Sequence, residues 1–430
     1  MKLFKGTKIR LITIGVLISA MAAGLSLGVT AQTRTVTPLH NSRKPSLRSA
    51  RLLHGRSALN IPFELNLNNI FLQARINNSR PLWFIFDSGA GATILNTRVA
   101  ESLGLRSSGK SVLVGGGGSV QGGVITGATI KVSGALAPNQ LIAFAPIDSL
   151  PSLVGHAVDG IIGYEFMRRF VVEIDYVNTS INLYDPATYK YAGSGAIFPV
   201  ELRDNGRSPY VRLGVTVSSG PSIEGEFGLD TGSTSTLWMS KSFVASHKLL
   251  ENLPAMSFTR FGAGLGGESK VIHVRAQSVS LGCLIINRPV VKLSQEEQGF
   301  YASTEYAGTV GGEIFGRFKV ILDHSRKRMI LDPNERFSEP FDDDMSGLDT
   351  IAEGRYFDSF KIIQVSPNTP GAEAGLRSGD VITAIDNKPS RQLTLDGISH
   401  MFMKDGREYL LGFQRGQQKM QTKLRLRKLI

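Results

Sequence analysis

The chain has 430 residues, 42% of them hydrophobic and 47 of them glycine, which is long enough for several self-sufficient cores. Its formal charge of +12 points to nucleic acid or anionic membrane only until it is located: residues 1–60 hold ten Lys or Arg and no Asp or Glu, leaving 48 − 10 = 38 basic against 36 acidic residues beyond them. The body is close to neutral, which removes the case for a nucleic-acid partner, and the single cysteine, Cys283, excludes an intrachain disulfide and a cysteine zinc cluster.

At the N-terminus Lys2, Lys5, Lys8 and Arg10 precede the apolar run 11–29, and Val29, Thr30 and Ala31 form a small-residue cleavage site. Residues 1–31 therefore predict an export signal and a periplasmic or extracellular protein. The run is near the length of a membrane span, so an uncleaved anchor is the other reading. Residues 32–58, basic and poor in apolar side chains, predict a disordered leader, either a solvated linker or a removable pro-segment. No later segment is long and apolar enough to span a bilayer, and the body is expected to be soluble.

Alternating runs such as FELNLNNIFLQARI and YVRLGVTV predict strands, and short helices are expected at NTRVAESLGL and SFVASHKLL. Within this β pattern an aspartate twice leaves an apolar lead-in for a small-residue turn: FIFDSGAGATIL around Asp87 and FGLDTGSTSTLW around Asp230. Ser88 and Thr231 supply a hydroxyl after each acid, and Gly89 and Gly232 permit close approach of a second backbone. Two carboxylates at contact distance cannot both ionise near neutral pH, so they can share one proton, one accepting from water while the other donates.

The repetition extends past the turns. Gly160 and Gly308, Gly163 and Gly311, Phe170 and Phe318, and Asp175 and Asp323 are all 148 apart (308 − 160), whereas the two aspartates differ by 230 − 87 = 143. Between each aspartate and its closing motif lies a glycine-rich stretch, one containing Gly115, Gly116, Gly117 and Gly118, the other Gly262, Gly264, Gly266 and Gly267.

DSGA from Asp87, DTGS from Asp230, and the closures at Ile161, Ile162, Gly163 and Thr309, Val310, Gly311 resemble the aspartic proteases, more closely the retropepsin-like kind than the large pepsins. The resemblance covers roughly residues 59–333. It implies that each lobe supplies one aspartate to a dyad at a two-fold interface, so one chain holds a complete site and acts as a monomer on a polypeptide. By the same resemblance Asp87 and Asp230 activate water, the hydroxyls of Ser88 and Thr231 bond across the lobes, and the glycine stretches are flaps over an extended substrate. Neither stretch carries the tyrosine typical of pepsin flaps. Ser233 stands where the first copy has Ala90; a hydrogen bond from it to Asp230 would favour that acid's charged form and leave the shared proton with Asp87. An inactive fold that only binds peptides is the competing interpretation.

No cofactor or metal is expected. Gly262, Gly264 and Gly267 satisfy G-x-G-x-x-G but precede strands and have no acidic residue about twenty positions on, H-E-x-x-H is absent, and so is G-x-S-x-G. Beyond Pro333 an acidic connector, residues 336–344, leads to FKIIQVSPNTPGAEAGLRSGDVITAIDNKPS, which resembles a bacterial-type PDZ domain through Ala374, Gly375, Leu376, Gly379 and Asp380. That resemblance implies peptide binding by strand addition, with a groove between residues 360–365 (including Ile362) and a helix over 395–404, and a carboxylate loop at Gly354, Arg355, Tyr356 and Phe357. The expected architecture is mainly β: lobes over 59–195 and 196–335 related by a pseudo-two-fold axis, then a small α+β PDZ domain over 345–430.

Overall fold

A computed structural model describes residues 50–218, 220–251, 253 and 257–430. The expected export signal and most of the expected leader lie outside the described residues. Among the described residues no helix is long and apolar enough to cross a membrane. The chain is mainly β, as expected, with the short helices Thr97–Ser102 and Lys241–Ser246 at the two expected places.

Each lobe is a sheet built round its aspartate strand. In lobe 1, Leu82–Phe86 runs parallel to Gly160–Ile162, Phe84 opposite Gly160 and Phe86 opposite Ile162. In lobe 2, Ile223–Asp230 runs parallel to Gly308–Gly311, Phe227 opposite Gly308 and Leu229 opposite Val310. These pairs are the same two pairs moved by 143 on one strand and 148 on the other. Strands buried on both faces need apolar side chains throughout; Phe84, Phe86, Phe227 and Leu229 are each 0–1% exposed.

A separate six-stranded sheet joins the lobes. Val171–Asp175 pairs antiparallel with Phe318–Asp323, and Glu173 faces Ile321. Since 321 − 173 = 148, these two residues are repeat mates, and Val171 opposite Asp323 mirrors Asp175 opposite Lys319. An isologous contact has that property, so the pseudo-two-fold axis passes through this pair. One continuous core then runs beneath both lobes, from Phe84 and Ile174 to Phe227 and Val320.

Part of the segment expected to be a disordered leader is ordered into strands. Arg51–Leu52 pairs with Ala135 and Leu136, and Ser57–Pro62 forms the outer strand of the joining sheet opposite Ser180–Tyr184. Partners this distant in sequence supply order that composition does not reveal. The acidic connector is likewise anchored: Phe341 and Asp344 are buried, and Asp343 bonds to His273 at 2.7 Å.

The C-terminal domain has its own core, including Leu348, Phe360, Ile382, Ile398 and Phe413. Its sheet runs in the order Leu348–Glu353, Ser359–Val365, Val381–Ile385, Glu408–Arg415, Gln418–Arg425. The helix Pro370–Glu373 stops where Gly375 turns left-handed, and Leu376 enters the core. Asp380 is a structural carboxylate, 1% exposed and held by both Nε and NH2 of Arg415 at 2.7 Å.

Candidate active site

The two aspartate turns meet at the lobe interface. Ser88 donates its N–H to Thr231 Oγ1 at 3.0 Å, and Thr231 donates its N–H to Ser88 Oγ at 3.1 Å. Each hydroxyl then donates onward across the interface, Ser88 to the carbonyl of Leu229 and Thr231 to that of Phe86, both at 2.7 Å. Both side chains are fully buried, so each hydroxyl satisfies one donor and one acceptor of the opposite lobe that water cannot reach. The arrangement is reciprocal to within 0.1 Å.

This crossing brings the acids together. A Cβ on Gly89 would lie 3.0 Å from Asp230 Cγ, and one on Gly232 would lie 2.5 Å from Asp87 Cγ. Each glycine is therefore the surface against which the other lobe's carboxyl rests, and the carboxyls are within hydrogen-bonding reach of one another. Both acids are partly accessible, although protein surrounds them closely.

Their environments differ. Asp87 Oδ1 accepts the N–H groups of Gly89 at 2.7 Å and Ala90 at 3.1 Å, whereas Asp230 Oδ1 accepts that of Gly232 at 3.1 Å. Burial raises the Asp87 carboxyl above its ordinary value against the pull of those donors. Burial and then the charge of Asp87 push Asp230 well above its own. The titration belongs to the pair, which retains a proton above the ordinary carboxylate range because both acids are buried and sit against one another. Placing that proton on Asp87 requires a hydrogen bond to Asp230 from Ser233. Its hydroxyl does not donate to Asp230; it accepts the N–H of Ser235 at 3.4 Å, and its side chain packs beside Gly311.

Both glycine-rich stretches are hairpins. Gly109–Gly115 and the start of Gly118–Val132 form flap 1, with Gly115 opposite Gly118 and Gly116 and Gly117 at the tip. Ser257–Gly264 and Gly267–Arg275 form flap 2, in which Gly262 faces Ser269 and Gly264 faces Gly267 across a tip containing Gly266. The tips touch. A Cβ on Gly115 would collide with the Leu265 carbonyl, and one on Gly118 would lie 2.7 Å from the carbonyl oxygen of Gly266. Backbone packs directly on backbone here, which is why both tips need glycine. Leu265 reaches from flap 2 to the lobe 1 cluster that includes Ala90 and Leu113.

One residue near the dyad carries no motif. Tyr301, 6% exposed, follows Gly299 in a short turn of lobe 2; it stacks on Trp238 at 4.3 Å between centroids and shares a 3.0 Å hydrogen bond with the hydroxyl of Thr309. Its ring would lie 3.0 Å from a Cβ on Gly116. Tyr301 thus lies beneath flap 1, on a connection outside the repeat.

The PDZ groove falls elsewhere than expected. Ser359–Val365 pairs with Leu348–Glu353 on one side and Val381–Ile385 on the other, so it has no open edge for a peptide, and Ile362 is fully buried. Gly354, Arg355, Tyr356 and Phe357 form the hairpin connection between Leu348–Glu353 and Ser359–Val365, with Tyr356 76% exposed. Of the two edge strands, Leu348–Glu353 and Gln418–Arg425, the first lies beside the helix Leu395–Phe402.

Residues 72–166 match the family described as aspartyl protease, and residues 361–415 match the PDZ domain family. No curated protein matches the chain significantly. The first match covers the Asp87 turn and its closure; the second half of the dyad is carried by the repeat register described above. Together the matches support a retropepsin-like aspartyl protease fold followed by a C-terminal PDZ domain.

Proposed function

We propose that this chain is an exported aspartic endopeptidase that hydrolyses polypeptides with the Asp87–Asp230 pair, the PDZ domain positioning the protease or its peptides. The observation that carries the reading is the reciprocal Ser88–Thr231 crossing with each glycine seated on the opposite carboxyl. Asp87, supplied with two N–H donors, acts as the base on a water between the acids; Asp230 supplies its proton to the carbonyl oxygen of the scissile peptide. Water oxygen bonds to the carbonyl carbon, giving a neutral gem-diol with the proton now on Asp87. In the second step that proton passes to the amide nitrogen, the C–N bond breaks, and Asp230 takes a proton back from the diol. No covalent enzyme intermediate forms. Closed flaps exclude water from this exchange, and they must part to admit a substrate strand.

Export rests on the basic and apolar pattern of residues 1–31. The deciding experiment follows cleavage of an unfolded protein at acidic and neutral pH by wild type and Asp87→Asn, with and without a transition-state analogue of aspartic proteases. Turnover by wild type that the analogue and the substitution both abolish supports the reading. Analogue binding without turnover in either protein makes the chain a peptide-binding protein.

A further inference from the structure

The free edge of the PDZ sheet is occupied by the protease. Lobe 1's helix Leu150–Val154 lies against Leu348–Glu353, and the following residue, Gly155, sits so close to the start of the helix Leu395–Phe402 that a Cβ there would be 2.8 Å from Leu395 Cβ and 3.7 Å from Ala352 Cβ. A second lobe 1 turn closes the seat: Leu67 donates its N–H to Asp396 at 2.9 Å and packs on the PDZ core, while Asn66 bonds the Val154 carbonyl at 2.9 Å. A peptide joins a sheet at an unpaired edge with a helix alongside, and here lobe 1 stands in that place.

The same edge strand is fastened to flap 2. Arg260, on the first arm of that flap and 9% exposed, donates from Nε to Asp349 at 3.0 Å and from NH2 to the Leu348 carbonyl at 2.8 Å, with Asp344 at 3.7 Å. From the second arm, His273 bonds Asp343 at 2.7 Å. Ser366 of the PDZ domain bonds the Thr259 carbonyl at 3.3 Å. A buried, multiply bonded guanidinium is a firm attachment, since losing one partner strands a charge away from water.

We propose that the PDZ domain is a latch on the protease: its peptide edge is seated on lobe 1 at residues 66–67 and 150–155, and through Arg260 that seating holds flap 2 closed over the dyad. A polypeptide that takes the Leu348–Glu353 edge must displace lobe 1 and thereby loosens the flap. The activity consequence rests on the protease reading above; the conformational consequence does not.

The test uses the full-length protein carrying Gly155→Asn. Asparagine tolerates the left-handed backbone at this position, where φ is +62°, while its Cβ pushes the PDZ domain off lobe 1. Amide hydrogen exchange is expected to speed up about tenfold or more in Leu348–Glu353 and in both arms of flap 2, and cleavage of an unfolded polypeptide is expected to rise severalfold. Faster exchange in Leu348–Glu353 with flap 2 unchanged overturns the latch, because the domain has lifted without releasing the flap. Unchanged exchange in both overturns the seat. If Gly155→Asn fails to fold, Leu67→Ala combined with Asp396→Ala weakens the same seat from its lobe 1 side without adding bulk, and the same exchange pattern decides. Hydrogen exchange reads the latch even in a protein that cleaves nothing, so failure of the latch and failure of the protease reading remain distinguishable.

Discussion

Lobe 1 pairs Phe84 with Gly160 and Phe86 with Ile162; lobe 2 pairs Phe227 with Gly308 and Leu229 with Val310; and the two meet through the mated pair Glu173 and Ile321. Backbone register is thus duplicated, while what surrounds it is not. Asp87 Oδ1 holds two N–H donors and Asp230 Oδ1 one, and flap 2 carries Arg260 and His273 to the connector and the PDZ domain. A symmetric scaffold brings two like acids together, and the proposed mechanism uses their unlike surroundings to give them unlike roles.

The largest break in this comparison is removal of either acid. Asp87→Asn and Asp230→Asn should each lower kcat/KM on an unfolded polypeptide by roughly a thousandfold, the middle of the range for general acid–base groups. Equal losses are expected because base and acid serve the same step. Loss in one variant alone would show that the second acid does not take part.

The crossing should break symmetrically. Thr231→Val and Ser88→Ala each leave a buried N–H and a buried carbonyl unpaired, which costs about 1–3 kcal/mol per stranded group, and urea unfolding should show similar losses for both. The glycines should break unequally. A methyl at Gly232 meets Asp87 Cγ at 2.5 Å, whereas one at Gly89 meets Asp230 Cγ at 3.0 Å, so Gly232→Ala should lower kcat more than Gly89→Ala.

Stability against pH sharpens the difference between the acids. Asp230 binds its proton more tightly folded than unfolded, so it contributes stability that is present below the ordinary carboxylate range and is lost as pH rises toward its raised value. Asp230→Asn should therefore be more stable than wild type at neutral pH and lose that advantage in acid, as thermal unfolding across pH would show. The smallest effect belongs to Ser233→Ala. The Ser233 hydroxyl accepts from Ser235 and does not donate to Asp230, so the acid limb of activity should not move.

What sequence makes legible here follows from what repeats. The offsets of 143 and 148 carry the dyad, the crossing hydroxyls and the flaps, because a duplicated motif constrains its own partner. Tyr301 stands on an unrepeated connection, and nothing in GFYAS marks a ring that folds under flap 1. The Ser233 hydroxyl depends on a side-chain rotation that no motif encodes. The PDZ groove is not legible in sequence because an edge strand is defined by sheet order: Ser359–Val365 and Leu348–Glu353 are both adequate strands, and long-range pairing decides which is open. The connector's Asp343 and Asp344 look like solvated charges until His273 and Arg260 arrive from a hairpin about 70–90 residues upstream.

One proton between two lobes is the claim on which these roles depend. A carbon NMR titration of aspartate carboxyls, comparing wild type with Asp87→Asn, tests it directly. The account predicts an Asp230 carboxyl that stays protonated well above the usual range in wild type and titrates lower once the charge at Asp87 is gone. An Asp230 that titrates normally, or that ignores the substitution, would contradict it.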